Sequence, residues 1–335
     1  MSRPALYGDV RRWGLVHADS LSLLRQLPDA STDCLLTDPP YAISFAGNAW
    51  DGASIREAVA GNGDLSDGEA FARWTCRWAA EARRVLKPGG WVVAFGSPRT
   101  FHRLVCGIED GGVEVRDTLL WIHGAGPPKS RRLRGNLSTT LKPVYEPILL
   151  GRVPLAGSVA ENLRTWSTGA LDIGAGGVMH PEAPRAGFWP ANLAASHDER
   201  CTTRRCSPEC PLALIDDGRV RVSRLFYCAK ASRAEREAGC ESLPQRHVEL
   251  YGGRGARQVR NLHPTVKPVA LMRWLVRLVS PRGGVVLDPF TGSGTTGAAA
   301  LLEGRQFMGI ERERDYIPVA RARLAHWAAV AKGAK

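Results

Sequence analysis

Apolar and polar positions along the first 125 residues alternate between helical and strand spacing. The segment EAFARWTCRWAAEARRVL has apolar residues at helical intervals, ends at KPGG and leads into the apolar strand WVVAFG. The short amphipathic segment DSLSLLRQLP precedes the strand DCLLTD in the same way. Strands that alternate with helices predict a mostly parallel sheet covered by helices on both faces.

The same alternation returns in the last third of the chain. PVALMRWLVRLVS predicts a helix, GGVVLDPF a strand, TTGAAALLEG a helix, QFMGIE a strand and RDYIPVARARLAHWAAVA a final helix. We therefore predict one α/β fold that is built from both ends of the chain.

The middle of the chain, from about Leu155 to Val222, shows no such period. It is rich in Gly, Pro and Ala, with Phe188 and Trp189 embedded. A long irregular stretch inside a compact domain is usually functional or disordered. We predict an irregular insertion at residues 156–222, between a first half at 1–155 and a second half at 223–335.

Charge is distributed unevenly along a chain of ordinary globular composition. The net charge of +12 divides into −2 for residues 1–124, +8 for 125–260 and +6 for 261–335. Such an excess of basic residues favours a polyanionic partner. No apolar run is long enough to cross a membrane, and the N-terminus lacks the apolar core of a secretory signal, so we expect a cytoplasmic protein.

The first candidate for chemistry is the tetrapeptide Asp38-Pro39-Pro40-Tyr41, which follows an apolar strand. Prolines fix their own φ angle, donate no hydrogen bond and restrict the residue before them. The tetrapeptide therefore presents a carboxylate, a free carbonyl and an aromatic ring on a stiff frame. The alternative is that the strand simply ends in a turn, and the tetrapeptide alone does not decide between the two.

The second candidate is VVLDPFTGSGTTG, a buried strand that runs into a glycine-rich turn and a helix. Gly292, Gly294 and Gly297 satisfy G-x-G-x-x-G, and Glu311 ends the next strand, where it is suited to ribose hydroxyls. Alone, this motif fits NAD, FAD or an adenosyl cofactor, or a tight turn without a ligand.

Together, the two motifs resemble the amino-methyltransferases that modify exocyclic nitrogens of DNA. The order, with D-P-P-Y before D-P-F-x-G-S-G-T-T, is similar to the beta group of that family, as are LHPTVKPVALMRWLV and LKPVYEPILLGR. The resemblance extends over nearly the whole chain, to phage-type and orphan bacterial enzymes. It implies a Rossmann-like methyltransferase fold, with 1–155 and 223–335 as one catalytic domain and 156–222 as the target-recognition insertion.

The resemblance also implies the cofactor S-adenosylmethionine and residues that contact it. Asp288, Phe290, Gly292 and Gly294 match the loop around the methionine part, and Glu311 matches the acid at the ribose. Asp19 matches a position that contacts the adenine of the cofactor. Thr265 and Lys267 match a segment near its amino-acid end. For Asp19 a helix N-cap, and for Lys267 a solvated lysine at a helix start, are comparable alternatives.

The chemistry of the tetrapeptide agrees with this resemblance. An exocyclic amine is a poor nucleophile because its lone pair is delocalised into the base. The Asp38 carboxylate and Pro39 carbonyl can accept its two N–H bonds and favour a tetrahedral nitrogen, while Tyr41 stacks on the base. An amine paired inside a duplex must first be flipped out.

Two polar clusters in the middle of the chain are candidates for DNA and metal binding. Phosphate contacts are expected from a basic loop, although an exposed loop without a ligand explains it equally well: Lys129, Arg131, Arg132 and Arg134. A structural zinc has four candidate ligands at a spacing that is not a standard knuckle, and reduced thiols are the alternative: His197, Cys201, Cys206 and Cys210.

The sequence thus predicts a methyltransferase that acts on double-stranded DNA, with N6 of adenine preferred because Asp rather than Ser begins the tetrapeptide. N4-cytosine methylation and an RNA or protein amino-methyltransferase are the alternatives. A nicotinamide-dependent oxidoreductase would leave the tetrapeptide unexplained, and a non-catalytic DNA-binding module would leave both motifs unused. The resemblance also implies a homodimer.

Overall fold

The structure is a computed structural model. It describes residues 6–9, 11–60, 65–123, 137–139, 141, 143–174, 190–196, 226–227, 231–249 and 256–333. Among these residues no helix has the length and apolar character needed to span a membrane.

Among the described residues, ten strands form one sheet, and two more form a separate antiparallel pair. The strands are β1 Leu6–Tyr7, β2 Trp13–His17, β3 Thr32–Thr37, β4 Leu86–Phe95, β5 Glu114–His123, β6 Tyr145–Arg152, β7 Leu193–Ser196, β8 Phe226–Tyr227, β9 Arg246–Glu249, β10 Ala256–Val259, β11 Val285–Asp288 and β12 Gln306–Glu311. The order in the large sheet is β1-β2-β12-β11-β3-β4-β6-β5-β7-β8. Within its described part, only β1 and β6 run against the other eight strands.

Nine α-helices accompany the strands in the described residues. They are α1 Ser20–Leu24, α2 Ala53–Ala58, α3 Asp67–Val85, α4 Phe101–Asp110, α5 Val159–Trp166, α6 Arg233–Glu237, α7 Val269–Val279, α8 Thr295–Leu302 and α9 Ile317–Gly333. The long helix α3 begins at a capping box, in which Ser66 accepts from the Glu69 N–H and Glu69 accepts from the Ser66 N–H.

The core lies on both faces of the sheet, as a parallel sheet requires. Strand β3 shows the division: Cys34 and Leu36 pack into a cluster with α7, α8 and α9. Leu35 points to the opposite face and packs with α1, α3 and α4. The predicted α/β fold with a mostly parallel, helix-covered sheet is therefore confirmed.

The first and second halves of the chain share this sheet, because β11 and β12 lie between β2 and β3. The described residues of the range 156–222 differ from the irregular structure that we expected there. Helix α5 begins at a second capping box, Ser158 with Glu161, and β7 pairs in parallel with β5. The helix has eight residues and the strand four. Elements this short contain too few repeats of the apolar pattern to be recognised among the surrounding Gly and Pro. The role of this range in target recognition stays a prediction.

Candidate active site

The two sequence motifs lie side by side at the carboxyl ends of adjacent strands. β3 and β11 pair in parallel, with Leu35 opposite Leu287. Where the two strands end, Thr37 Oγ1 donates a 2.6 Å hydrogen bond to the Asp288 carboxylate. Open α/β sheets bind ligands at this edge.

A cavity of about 790 Å³ opens at this edge. Its volume lies within the roughly 300–1,000 Å³ of small-molecule sites. All four residues of the tetrapeptide line it, together with Gly292 and with polar and aromatic side chains from both halves of the chain: Asp19, Trp78, Glu146, Thr265, Phe290 and Glu311.

The Asp38 carboxylate is held from both sides. The Tyr41 hydroxyl donates a 2.6 Å hydrogen bond to Oδ1, and the Lys267 ammonium lies 2.5 Å from Oδ2. Burial raises the pKa of the Asp38 carboxyl group above its ordinary value, and the charge of Lys267 opposes that shift. The tetrapeptide thus fixes the orientation of a carboxylate at the cavity wall.

Lys267 is buried beside the tetrapeptide and pairs with two carboxylates. Its side chain is 7% exposed, and its ammonium contacts the carboxylates of Asp38 and, at 3.2 Å, Glu146. The N–H of Val269, which opens α7, is bonded to Glu235 Oε1 at 2.8 Å, so this N–H does not face a free anion site. A contact between Lys267 and the cofactor stays a prediction.

Glu146 is a member of the site that the sequence did not reveal. Its Oε2 accepts a 3.1 Å hydrogen bond from the Tyr41 hydroxyl, and its Oε1 lies 3.5 Å from His123 Nε2. Burial acts to raise the pKa of Glu146, but the charge of Lys267 and the hydrogen bond from His123 outweigh burial and lower it to about 2. An acid at the start of the apolar strand YEPILLGR was the available signal.

Asp51 is a second residue that the sequence did not reveal, and it shapes the turn after the tetrapeptide. Its buried carboxylate accepts backbone N–H bonds from Tyr41, Ala42, Ile43 and Phe45 at 2.5–3.3 Å. The turn also contains two residues with left-handed φ angles, Ala42 at 56° and Ser44 at 51°. Four N–H groups that converge on one carboxylate stabilise this turn and fix the backbone position of Tyr41.

Replacing Asp51 with alanine should lower the free energy of unfolding by about 3 kcal/mol, because four N–H groups lose a charged acceptor. Urea denaturation measures the change. Asp29→Ala is the matched control, since the exposed Asp29 carboxylate pairs with Arg84 at the surface and its loss should cost less than about 1 kcal/mol. Equal losses in the two variants would show that Asp51 does not hold the turn.

An aromatic cluster forms one wall of the cavity. The Phe290 ring lies 5.4 Å from Trp74 and 5.5 Å from Trp78, measured between ring centroids. Both tryptophans come from α3, so the cofactor-type loop packs directly on the first half of the chain. Such a wall offers stacking area to a planar ring.

Glu311 ends β12 with its carboxylate at the cavity. Oε2 accepts a 2.6 Å hydrogen bond from the Gly292 N–H and Oε1 a 2.7 Å bond from the Glu313 N–H. Burial raises the pKa of Glu311 to about 7, against the lowering effect of these two N–H groups. The remaining lone pairs face a cavity and can accept from hydroxyl groups.

The glycines of the second motif differ in what a side chain would meet there. Gly292 has φ +53°, and a Cβ there would lie 2.5 Å from His263 Nε2. Gly294 is the N-cap of α8 with φ +80°, and a Cβ there would meet Leu324. Both glycines thus have left-handed φ angles that favour glycine, and a side chain at Gly292 would collide with His263. Contacts of Gly292 and Gly294 with the cofactor stay predictions.

Among the other predicted cofactor residues, Asp19 and Thr265 line the cavity, and Asp288 lies at the end of β11. Asp19 also caps α1, with a 2.9 Å bond from the Ser22 N–H, which confirms the N-cap interpretation. Asp288 accepts from Thr37 and from the Phe290 N–H, and burial raises its pKa to about 6. Contacts of Asp19, Thr265 and Asp288 with the cofactor stay predictions.

Both polar clusters from the middle of the chain lie outside the described residues. These are the basic loop Lys129, Arg131, Arg132 and Arg134, and the zinc candidates His197, Cys201, Cys206 and Cys210. Within the part of the chain that the structure describes, no group of three or more His, Cys, Asp or Glu side chains is arranged to hold a metal ion.

Comparison with known proteins adds sequence relatives and a common fold. The Type II methyltransferase M2.DpnII of Streptococcus pneumoniae is 25% identical over 325 residues, which cover 97% of this chain and 93% of that protein. M2.LlaDCHI of Lactococcus lactis subsp. cremoris, also a Type II methyltransferase, is 25% identical over 311 residues, 92% of this chain and 88% of that protein.

A solved structure with a similar fold is the PvuII DNA methyltransferase, which is described as cytosine-N4-specific. It superimposes with a TM-score of 0.59 at 16% identity, over 96% of this chain and 93% of that one. This similarity confirms the methyltransferase fold. The profile of the N6/N4 DNA methylase family matches residues 32–154 and 211–322, well over half of the chain. The protein therefore belongs to the N6/N4 DNA methylase family.

Proposed function

We propose that the protein transfers a methyl group from S-adenosylmethionine to N6 of an adenine that is flipped out of double-stranded DNA. The observation that carries this proposal is the Asp38 carboxylate, which is oriented by two partners at the wall of a cavity that Glu311 also lines. The family establishes a DNA methylase, and the base and the roles of the residues are our inference.

The tetrapeptide would act by holding the target amine. Asp38 Oδ and the Pro39 carbonyl accept its two N–H bonds, which favours a tetrahedral nitrogen with a free lone pair. The Tyr41 ring offers a stacking surface at the cavity wall. Fixed orientation and a preorganised negative charge are the two contributions that such a site makes to the rate.

The cavity fits an adenosyl cofactor by the chemistry of its lining. Glu311 would accept from the ribose hydroxyls, Phe290 and Trp78 would pack against flat or apolar parts, and Asp19 would face the adenine. Gly292 lines the cavity without a side chain, so its backbone would allow the cofactor to approach closely. When bound, the cofactor supplies a methyl group on a sulfonium, which is ready for in-line displacement.

The preference for adenine rests on Asp38, because N4-cytosine enzymes of this family more often have Ser at that position. The second candidate is N4 of cytosine, which the N6/N4 family equally allows. One solved structure with a similar fold is a cytosine-N4-specific enzyme. At 16% identity that similarity carries no information about the base. We therefore keep adenine as the proposed target.

Labelled methyl transfer to DNA, RNA and protein, measured in parallel with the purified enzyme, tests the substrate class. We expect incorporation into double-stranded DNA that far exceeds incorporation into RNA or protein. Incorporation into RNA or protein alone would contradict the proposal and favour the alternative amino-methyltransferases.

Cofactor affinity should depend on pH through Glu311. Its pKa of about 7 in the free protein means that it is protonated below pH 7, whereas the ribose hydroxyls need an ionised acceptor. Affinity should therefore fall, by roughly tenfold per pH unit at the limit, as the pH drops below 7.

Calorimetry of S-adenosylmethionine binding between pH 5.5 and 7.5 measures this dependence. Glu311→Gln is the control for titration of the ligand itself, and it should bind weakly with a flatter pH dependence. Parallel curves for the wild type and the variant would show that Glu311 does not bind the ribose.

DNA affinity should fall steeply with added salt, because the basic excess lies after residue 124. Replacing Arg131, Arg132 and Arg134 with glutamine should reduce the slope of log affinity against log salt by about one unit per lost phosphate contact. Fluorescence anisotropy with a labelled duplex measures the slope. A control triple variant replaces three exposed arginines outside this segment with glutamine: Arg25, Arg56 and Arg116. An equal slope in both variants would exclude the loop from the backbone contacts.

The zinc site and the homodimer stay predictions from the sequence. Elemental analysis of protein purified without a metal-affinity column decides the first, and sedimentation equilibrium decides the second. Metal-free active protein would leave Cys201, Cys206 and Cys210 as ordinary thiols.

A further inference from the structure

We propose that Glu146 is a positioning residue that neutralises Lys267 and thereby leaves Asp38 with the uncompensated negative charge that meets the methylated amine. This inference rests on the proposed function, because it assigns Asp38 to the target nitrogen. Glu146 acts through Lys267 and Tyr41 and does not itself touch the base.

The distances define a compact charge cluster. Lys267 Nζ lies 2.5 Å from Asp38 Oδ2 and 3.2 Å from Glu146 Oε2. The Tyr41 hydroxyl bridges the same two carboxylates, at 2.6 Å from Asp38 and 3.1 Å from Glu146. Two carboxylates and one ammonium give this cluster a net charge of −1. Without Glu146, the pair of Asp38 and Lys267 would be neutral.

Both donors that hold Asp38 therefore have a second acceptor within reach. When the target amine binds to Asp38, Lys267 and Tyr41 can shift to Glu146 without leaving a buried donor unpaired. The side chain of Lys267 is 7% exposed. Without a second acceptor, its buried ammonium would stay bound to the Asp38 carboxylate. Glu146 thus allows Asp38 to release its internal partners.

The transfer step shows why a net negative charge is needed. The lone pair of the nitrogen forms the new N–C bond, the S–C bond breaks, and its electron pair stays on sulfur. The nitrogen then carries a positive charge until one of its protons passes to Asp38. A cluster of net charge −1 stabilises that cation, whereas a neutral one does so much less.

The environments of Asp38 and Glu146 shift their pKa values in opposite directions, as a proton acceptor and a permanent counter-ion require. Burial, with a further contribution from the charge of Glu146, raises the pKa of Asp38. Burial acts against ionisation of Glu146, but the charge of Lys267 and the hydrogen bond from His123 overcome it and hold the pKa of Glu146 at about 2. Divergent pKa values of this kind separate a proton-accepting carboxylate from a permanent counter-ion.

Glu146→Gln should lower the single-turnover rate of methyl transfer by about 10²-fold, within the range that proton transfer and charge placement contribute. The affinity for S-adenosylmethionine should stay unchanged. The acidic limb of the pH–rate profile should move to lower pH, because Lys267 then lowers the pKa of Asp38 without opposition. The other ionisable groups around the pair are Tyr41, His123, His263 and Asp288.

The decisive variant removes both charges. Glu146→Gln combined with Lys267→Met restores the net charge of −1 on Asp38. At saturating cofactor, the double variant should therefore be at least tenfold faster than Glu146→Gln alone. A purely structural role for Glu146 predicts that a second buried substitution slows the enzyme further, and that result would overturn the proposal. Glu303→Gln is the control, because Glu303 is 11% exposed and pairs with two arginines away from the cavity.

A measurement without turnover separates this inference from the proposed function. Carboxyl ¹³C NMR of the cofactor-free protein follows the titration of Asp38 directly. Glu146→Gln should lower the pKa of Asp38, and the double variant should raise it again. An unchanged pKa would contradict the role of Glu146 even if DNA is methylated, whereas an inactive wild type with shifted pKa values would contradict only the proposed function.

Discussion

Asp38→Ala should abolish methyl transfer while the protein keeps its fold and its affinity for S-adenosylmethionine. The Asp38 carboxylate lines the cavity at a strand end, where Tyr41 and Lys267 hold it. Its loss leaves Lys267 with Glu146 as a partner at 3.2 Å, so no buried ammonium becomes uncompensated. The defect should therefore appear in the rate alone.

Asp38→Asn is the sharper variant, since it keeps the shape and one acceptor but loses the charge. Removing one preorganised charge contact costs about 10²–10³ in rate, and we expect a loss of at least that size. Single-turnover methylation, thermal melting and calorimetry are measured side by side. Full activity in Asp38→Ala would mean that the tetrapeptide is only a turn that ends β3.

Gly292→Ala should weaken S-adenosylmethionine binding at least tenfold. A Cβ at this position lies 2.5 Å from His263 Nε2, so either the imidazole or the loop must move into space that the cofactor needs. Ten-fold corresponds to about 1.4 kcal/mol, which a displaced ring at the cavity wall readily costs. Calorimetry measures the affinity directly.

Gly304→Ala separates this effect from backbone strain. Gly304 has φ +71°, close to the +53° of Gly292, but a Cβ there meets nothing within 4 Å. Both variants thus carry the same left-handed cost of about 1 kcal/mol in stability. Equal affinities for the two variants would show that Gly292 is needed only for the turn.

The sequence predicted the parts of the site that depend on local patterns. The buried strands before Asp38 and Asp288 were evident from apolar runs, and parallel pairing brings their carboxyl ends to one edge. The N-cap, which was the alternative to a cofactor contact for Asp19, is present, and an acid before a short amphipathic helix is a local signal for it. These features need no knowledge of distant contacts.

The contacts that assemble the charge cluster could not be predicted, because they join distant parts of the chain. Lys267 is 229 residues from Asp38, and Glu146 is 105 residues from Tyr41. A lysine at a helix start and an acid in a strand have many local explanations. Only the tertiary fold, with β6 next to β4 and α7 against the same face, brings them together.

Asp51 and the helix α5 escaped prediction for a different reason. Asp51 acts on backbone N–H groups, which every residue carries, so the turn from Tyr41 to Phe45 has no side-chain signature. α5 has eight residues, and its position depends on Asn162, which is buried and bonded to the Pro88 carbonyl. Burial of an asparagine breaks the amphipathic pattern that would reveal the helix.

The central claim is that this DNA methylase modifies the exocyclic amine of adenine. The most direct test is to express the wild type and Asp38→Ala in a host without DNA methylation and to identify the modified nucleosides in its hydrolysed DNA. We predict N6-methyladenine with the wild type and no methylated base with Asp38→Ala. N4-methylcytosine would contradict the assigned base, and a methylated carbon of cytosine, or unmodified DNA from the wild type, would contradict the mechanism.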